Sequence, residues 1–597
     1  MKKRLLTGLL LLSVISLLAS CGENQDSGTG EERIKSTPLK VFSPEEGKVT
    51  SSGVNFNLLF KAGGEIPYVS LKEGFAFLNV VKAAHYEEKN NDKHYFHFRA
   101  DGNKLVAYDE EGATATFDPA EQTITYDQFE TFTSLANDAK NLPLCLLNAS
   151  PYKKAIKVVS STLEKGNAFT VDLKGYSHID LYSHNGELYL PLMTFNDFFY
   201  DVYEHVTLAY NYKDIYLTPS ESLITQDEDG EPSLTPLGEA FYDCPKRPTL
   251  TEDLQAFHLQ EAAINFDYLY GLKKDKGYTS FASFIESKGF KGDFLNADTK
   301  RADAGLRYVL SHLNDGHTGM GLTSCFYPVG AGIDEPTRMH PERVAWEKYG
   351  EELAAARKKS STSVGNYLDE ANQLFYITFD KFTQIAEKTL YAYDPSMSAQ
   401  KIYADTALQF HDAYSYLASS ENKGKVKTVV VDMVTNEGGS ADALVYATST
   451  LVGKVNSIVQ NPFTGAINRT SYAADLNLDG SIDEKDVSLA DLGYNIVFLN
   501  SKSSFSSGNA LPFLAKSGNP NKVMTIGETT GGGACVVRPC SSALGSSYSV
   551  SGPMCIMTEK DGKLINVDAG IPAEHPVAKD KFFDRSYIAS QLKEWVK

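Results

Sequence analysis

From Tyr494 to Gly533 the chain passes through an apolar strand (Tyr494 to Leu499), a polar run (Asn500 to Ser507), a helix opening at Gly508 (GNALPFLAK), a second strand (Val523 to Ile526) and the glycine-rich turn GETTGGG. No other stretch narrows the fold as much. Upstream, Val426 to Met433 (VKTVVVDM) is largely apolar and β-branched, the pattern of a strand buried on both faces. It leads into VTNEGGSADALVYATSTLVG, a glycine-bearing turn that opens a helix. Strand, helix, strand, helix, strand in succession predicts an α/β sheet. The Ser-bearing turn also has a chemical consequence. A serine at a helix N-terminus sits beside backbone N–H groups with no partner inside the helix, and these can hold a developing oxyanion.

At 597 residues the chain exceeds what one core organises, so several domains are expected. A formal charge of −19 leaves no electrostatic footprint for nucleic acid, and such a body is repelled by anionic lipid. No nucleic-acid partner is expected. The N-terminus offers a different route to a membrane. MKKR is a basic leader, and Leu5 to Leu18 is apolar but too short to span a bilayer comfortably. Leu18-Ala19-Ser20-Cys21 resembles a bacterial lipobox, which implies lipidation of Cys21 and an extracytoplasmic protein anchored at the cell membrane or outer membrane. An ordinary signal peptide cut near Ser20 is the alternative. The six later cysteines show no CxxC pairing, which argues against zinc. Cys535 with Cys540 or Cys555 is the local disulfide possibility, and buried free thiols are the other.

In order, the sequence divides into a signal peptide (1–20), a polar tether (21–45), two stalk-like α+β domains (46–145 and 146–220), a linker (221–248), a helical subdomain (249–330) and an α/β core (331–597). In the first stalk-like domain KLVAYDEEGATATFDPAEQTITYD alternates with period two, as hairpins do. The linker ESLITQDEDGEPSLTPLG is acidic and Pro/Gly-bearing. After it, Thr249-Leu250-Thr251-Glu252 offers a helix cap, Ala302 to Leu313 reads as a second helix, and Asp315-Gly316 favours a turn directly before His317. Phe375 to Phe382 reads as a strand and Ala404 to Ser420 as a helix.

Four motifs then stand in a telling order. Asp432-Met433-Val434-Thr435-Asn436-Glu437-Gly438-Gly439 resembles the pattern Asp-Leu-Arg-x-Asn-x-Gly-Gly with its arginine missing. Ser506-Ser507-Gly508-Asn509 falls where Ser-Ala-Ser-Glu begins a nucleophile helix, GETTGGG matches Gly-Glu-x-Thr-x-Gly, and GIPAEHPV resembles a closing Gly-Ile-x-Pro-Asp. Together they resemble the tail-specific (C-terminal-processing) and tricorn-type serine proteases over roughly the C-terminal 60% of the chain. The resemblance implies a crotonase-like α/β protease domain acting on a polypeptide, with Ser506 as nucleophile. It implies an oxyanion hole from Ser507 with Gly438 or Gly439, whose lack of side chains suits close approach of a carbonyl. The processing branch takes its base from a lysine, and Gly533 stands at that position. The tricorn-like branch uses a histidine in an Asp-x-His-Thr setting, which Asp315-Gly316-His317-Thr318 supplies. His317 is therefore the expected general base. Asp315, Asp568 and Glu574 are all possible orienting acids. About 50 residues between Cys325 and the FYITF strand are too few for a PDZ module.

Inside the core, Asp475, Asn477, Asp479, Ser481, Asp483 and Asp486 put oxygen side chains at positions 1, 3, 5, 7, 9 and 12 of an EF-hand-like loop, with Gly480 at 6. Asp486 replaces the usual Glu, as in dockerin-like loops. A structural calcium ion is expected, with no catalytic cofactor. The sequence thus describes a membrane-anchored serine endopeptidase. Its alternative is a catalytically impaired peptide- or surface-binding lipoprotein on the same scaffold, suggested by Gly533 and Asn509 at positions where the family has Lys and Glu.

Overall fold

The computed structural model describes residues 31–43, 48–85, 96–109, 112–133, 143–147, 152, 154–200, 206–219, 223–226, 232–422 and 424–596. Cys21 and the leader before it lie outside the described residues. Among those described, no helix is long and apolar enough to cross a membrane.

The centre of the molecule is a six-stranded sheet. Its strands β1 (Leu374–Thr378), β2 (Thr428–Asp432), β3 (Asn495–Asn500) and β4 (Val523–Gly527) lie parallel, with Gly365–Asp369 antiparallel at one edge and His575–Pro576 at the other. The expected strands are present within a few residues of their expected bounds. All five residues of β2 are buried, and alternation explains why both faces are apolar. Phe375, Ile377, Val429, Val431, Ile496 and Phe498 face one core, and Leu374, Tyr376, Val430, Val497 and Leu499 face the other. Helices pack on both sides.

The helices that matter for the site, in chain order, are α1 (Glu252–Leu269), α2 (Thr299–His312), α3 (Pro341–Lys359), α4 (Thr406–Ala418), α5 (Ala441–Val452), α6 (Ser507–Gly518) and α7 (Arg585–Trp595). Thr251 caps α1 by accepting the Leu254 N–H, as the capping pattern predicts. Buried residues of α4, α5 and α6 line the first core, and α7 with Leu353 of α3 closes the second. The interval too short for a PDZ module is occupied largely by α3.

A second, antiparallel sheet stands beside this one. Its long central strand is β6 (Ser547–Lys560), paired with β5 (Cys535–Ser541), Lys563–Asn566, Gly319–Leu322 and Val455–Gln460, and continuing through Ile467–Ala474 to Ile156–Glu164. Cys535 and Cys555 are register partners and form a disulfide, while Cys145, Cys244, Cys325 and Cys540 form no disulfide among the described residues.

The N-terminal region is β-rich. Its pairing cuts across the boundary expected at 145/146. Arg33–Ser43 and Lys48–Phe60 share one sheet with Glu187–Pro191 and Ile215–Pro219, and Thr123–Tyr126 pairs with Phe169–Asp172. Ile156–Glu164 belongs to the sheet of the core instead. Buried hydrogen bonds fasten this region to β5: Ser541 donates its N–H to Asp197 Oδ1 (2.9 Å), and Asn196 Nδ2 donates to Ser541 Oγ (2.9 Å).

Candidate active site

Parallel pairing brings the C-terminal ends of β1 to β4 to one edge, since Thr378 registers with Asp432, Asp432 with Leu499 and Asn500 with Gly527. Loops leaving that edge are where α/β sheets bind ligands. Here they are Val434–Gly439, Ser501–Ser506 and Glu528–Ala534.

Ser506 ends the second of these loops and stands directly before α6, at φ 55° and ψ −120°. A non-glycine residue in that region carries roughly 1–3 kcal/mol of strain. The neighbours hold it there. Its N–H donates to the Gly532 carbonyl (2.9 Å), and the Phe505 N–H donates to the Asn436 carbonyl (3.0 Å). Its own carbonyl accepts from the Asn509 and Ala510 N–H groups (2.9 and 2.8 Å). The hydroxyl caps no N–H of the helix. Two glycines are required by this geometry. A Cβ on Gly438 (φ +99°) would lie 2.7 Å from Ser506 Cβ, and one on Gly533 (φ +86°) would lie 2.7 Å from the Phe505 ring and 2.8 Å from the Ser506 nitrogen. No side chain fits where the processing branch keeps its lysine.

The amides around the serine differ. The Gly438 N–H already donates to Asn436 Oδ1 (2.9 Å). Those of Ser507 and Gly439 donate to nothing among the described residues. Asn509, expected as a weak point, is fully buried: its amide donates to the Val567 carbonyl (3.0 Å), and its Oδ1 accepts from Thr530. It ties α6 to the glycine-rich turn and to the closing motif.

His317 comes from the turn after α2. Its N–H donates to Asp315 Oδ1 (3.0 Å), and its carbonyl accepts from Ser549 Oγ on β6 (2.7 Å). The imidazole meets the Phe505 ring edge-on, with centroids 4.7 Å apart, and its Nδ1 lies 3.5 Å from Ser551 Oγ. Gly316 permits this approach, because a Cβ there would stand 2.5 Å from Phe505. The histidine turn and the serine turn therefore interlock through Phe505, the residue before Ser506. Burial pushes the imidazole below its ordinary pKa. The Asp315 and Asp568 carboxylates partly offset that, and the Arg343 guanidinium adds to it. The ring is thus neutral at neutral pH.

The three acids separate cleanly. Asp315 holds the histidine turn, and its Oδ2 is buried without a hydrogen-bond partner among the described residues. Asp568 accepts the Gly533 and Ala534 N–H groups on Oδ1 (3.0 and 3.3 Å) and also bears on the imidazole. Glu574 is engaged by Lys516 (2.7 Å) and the Thr525 N–H (2.9 Å).

Helix α3 spans the two turns. Arg343 Nη1 donates to the Asp315 carbonyl (2.8 Å), and Trp346 donates to the Lys502 carbonyl (3.0 Å) while its ring rests 5.6 Å from that of Phe505. Farther along, Arg357 makes a buried bidentate pair with Asp432 (2.8 and 2.9 Å) and donates to Thr435 Oγ1 (3.0 Å). A guanidinium from α3 thus rests on the Asp432 turn, in a motif that itself lacks an arginine. Sequence reasoning missed it, although Leu353 and Arg357 share one face of that helix and are its two buried residues.

In chain order the EF-hand-like loop lies between Ile467–Ala474 and β3.

Residues 375–571 match the model of peptidase family S41. No curated protein matches the sequence. Among solved structures the chain is similar to a candidate peptidase from Parabacteroides merdae (16% identity, 54% of this chain and 90% of that one, TM-score 0.35). It is also similar to a lipoprotein from Streptococcus agalactiae (11%, 57% and 98%, TM-score 0.33). The tricorn protease is a third (12%, 92% and 61%, TM-score 0.32).

Proposed function

We propose that this serine-type peptidase, whose residues 375–571 match family S41, cleaves polypeptides with Ser506 as nucleophile and His317 as general base, and does so outside the cytoplasm from a lipid anchor on Cys21. One observation carries the chemistry. An uncapped serine hydroxyl on a strained strand-to-helix turn stands beside two unengaged amides, and a neutral imidazole packs against the preceding residue. In this reading Ser506 Oγ attacks the substrate carbonyl carbon and His317 takes its proton. The oxyanion that forms is held by the Ser507 and Gly439 N–H groups. The imidazolium returns its proton to the departing amine, and water releases the acyl group by the same path. Asp315 and Asp568 supply the negative field that the imidazolium needs.

One observation favours the second reading, a scaffold that binds peptides without cleaving them: no hydrogen bond joins His317 to Ser506 among the described residues. A fluorophosphonate probe decides between the two. It labels the wild type, fails on Ser506→Ala, and labels His317→Ala at a rate lower by about 10²–10⁴-fold. Labelling that survives Ser506→Ala moves the nucleophile elsewhere, and a folded wild type that takes no label leaves the scaffold reading. The anchor is checked separately, by loss of lipid incorporation in Cys21→Ala.

A further inference from the structure

We infer that the loop Asp475–Asp486 is a calcium site that locks the connection into β3, the strand leading to Ser506. Asp475 is completely buried, its Oδ2 accepts the Gly480 N–H inside the loop (2.8 Å), and its Oδ1 has no hydrogen-bond partner among the described residues. A buried carboxylate oxygen left bare is costly unless a cation completes it. This one stands at the head of a loop that carries further oxygen side chains.

The rest of the loop conforms. Asn477 accepts the Asp479 N–H (2.8 Å), and Asp479 accepts the Ser481 N–H on Oδ1 (2.9 Å) and a long bond from Asn477 Nδ2 on Oδ2 (3.4 Å). Asp483 accepts the Lys485 N–H on Oδ1 (2.8 Å). Asp486 reaches back to the Leu476 and Asp483 N–H groups (2.7 and 2.8 Å), which closes the loop end to end. The second oxygens of Asp479 and Asp483 lean toward Lys485 Nζ (3.7 and 3.6 Å), and no three acidic, imidazole or thiol groups among the described residues gather round one point. Both carboxylates are partly exposed, so they swing inward when an ion arrives. Oxygen-only ligands at this spacing, with glycine at the sharp turn, select calcium over magnesium, which demands a tighter octahedron.

The site is structural. The Tyr391 hydroxyl donates to Asp475 Oδ2 (2.8 Å), the Asp475 N–H donates to the Ala155 carbonyl (2.9 Å), and Leu489 and Ala490 just beyond the loop hang on the carbonyls of Thr450 and Leu451 in α5. An ion at Asp475 therefore fixes the outer sheet, α5 and the start of β3 relative to one another. This inference is independent of the peptidase reading: fluorophosphonate labelling without calcium binding, or calcium binding without labelling, tells the two apart.

The test uses the full chain stripped with EGTA. Calcium chloride should bind once per chain in calorimetry and raise the unfolding temperature, while equal magnesium chloride does neither. Terbium should give sensitised luminescence from Tyr391, displaced by calcium. Asp479→Ala with Asp483→Ala, both on the exposed side, should weaken calcium at least tenfold and abolish the calcium-dependent rise, with the metal-free unfolding temperature unchanged. No calcium uptake by the folded wild type overturns the inference, as does unaltered uptake by the double variant.

Discussion

Replacing Arg357 with Met tests whether the Asp432 turn depends on a guanidinium borrowed from α3. Arg357 and Asp432 are both buried and joined by two hydrogen bonds of 2.8 and 2.9 Å. Methionine keeps most of the aliphatic stem and removes the charge. Asp432 is then a carboxylate enclosed by β-sheet, with the Val434 N–H (3.2 Å) and Thr378 hydroxyl (3.4 Å) the partners left to it among the described residues. Breaking one side of such a pair costs about 3–5 kcal/mol. The double variant Arg357→Met, Asp432→Asn removes the stranded charge while keeping an oxygen for Val434. It should cost only about 1–2 kcal/mol, since what is lost is then ordinary hydrogen bonding. The double variant is therefore more stable than the single one by about 1–4 kcal/mol. Urea unfolding followed by tryptophan fluorescence reads this region selectively, because the two tryptophans, Trp346 and Trp595, lie on α3 and α7 beside it. Fluorophosphonate labelling should fall in parallel, as the same turn carries Gly438 and Gly439. A single variant that loses less than about 1 kcal/mol, or a double variant no better than the single, refutes the reasoning.

Gly533→Lys restores the residue type of the processing branch but should abolish labelling. Its Cβ would collide with Phe505 and the Ser506 nitrogen, and displacing a nucleophile by about 1 Å costs on the order of 10²-fold. Gain of activity would reverse the assignment of the base. The acid limb of kcat/KM should lie below the ordinary imidazole value of about 6.5, because burial disfavours the charged His317. Asp568→Asn removes a charge that raises this pKa and should move the limb to lower pH, whereas Arg343→Ala should move it to higher pH. Shifts in the same direction would dissociate the limb from His317. His258 and His411 are both held down to about 4 by burial. The unfolded chain protonates them first, so stability is full above about pH 6.5 and declines as pH falls toward 4, by up to about 3 kcal/mol for each. Urea midpoints at pH 7 and 4.5 should show that loss, and a loss in His258→Gln smaller than in wild type, with the His411 part remaining, assigns the share of that residue.

What the sequence revealed of this molecule, and what it hid, follows from the range over which each force acts. The β-branched run ending at Asp432 announced a doubly buried strand because alternation and burial are recorded residue by residue. The serine turn was legible for a similar reason: Gly438 and Gly533 mark places where a Cβ would strike the neighbouring turn. Pairing partners leave no such local mark. Ile156–Glu164 alternates as any half-exposed strand does, and nothing in that pattern says it joins Ile467–Ala474 in place of its neighbours in sequence. The boundary drawn at 145/146 failed to anticipate that exchange. Arg357 was hidden in the same way, since an arginine on a largely exposed helix looks solvated until the fold lays it on Asp432. The orienting acids show the limit most sharply. Asp315, Asp568 and Glu574 were equal in the sequence. In the fold, Glu574 is committed to Lys516, while the other two carboxylates act on the imidazole from opposite stretches of chain, Asp315 through its own turn and Asp568 through the amides of Gly533 and Ala534. Gly533 therefore has a second role beyond making room. At a φ of 86°, which a side chain would strain, its N–H reaches Asp568 Oδ1 (3.0 Å) at the position where the resemblance places a lysine.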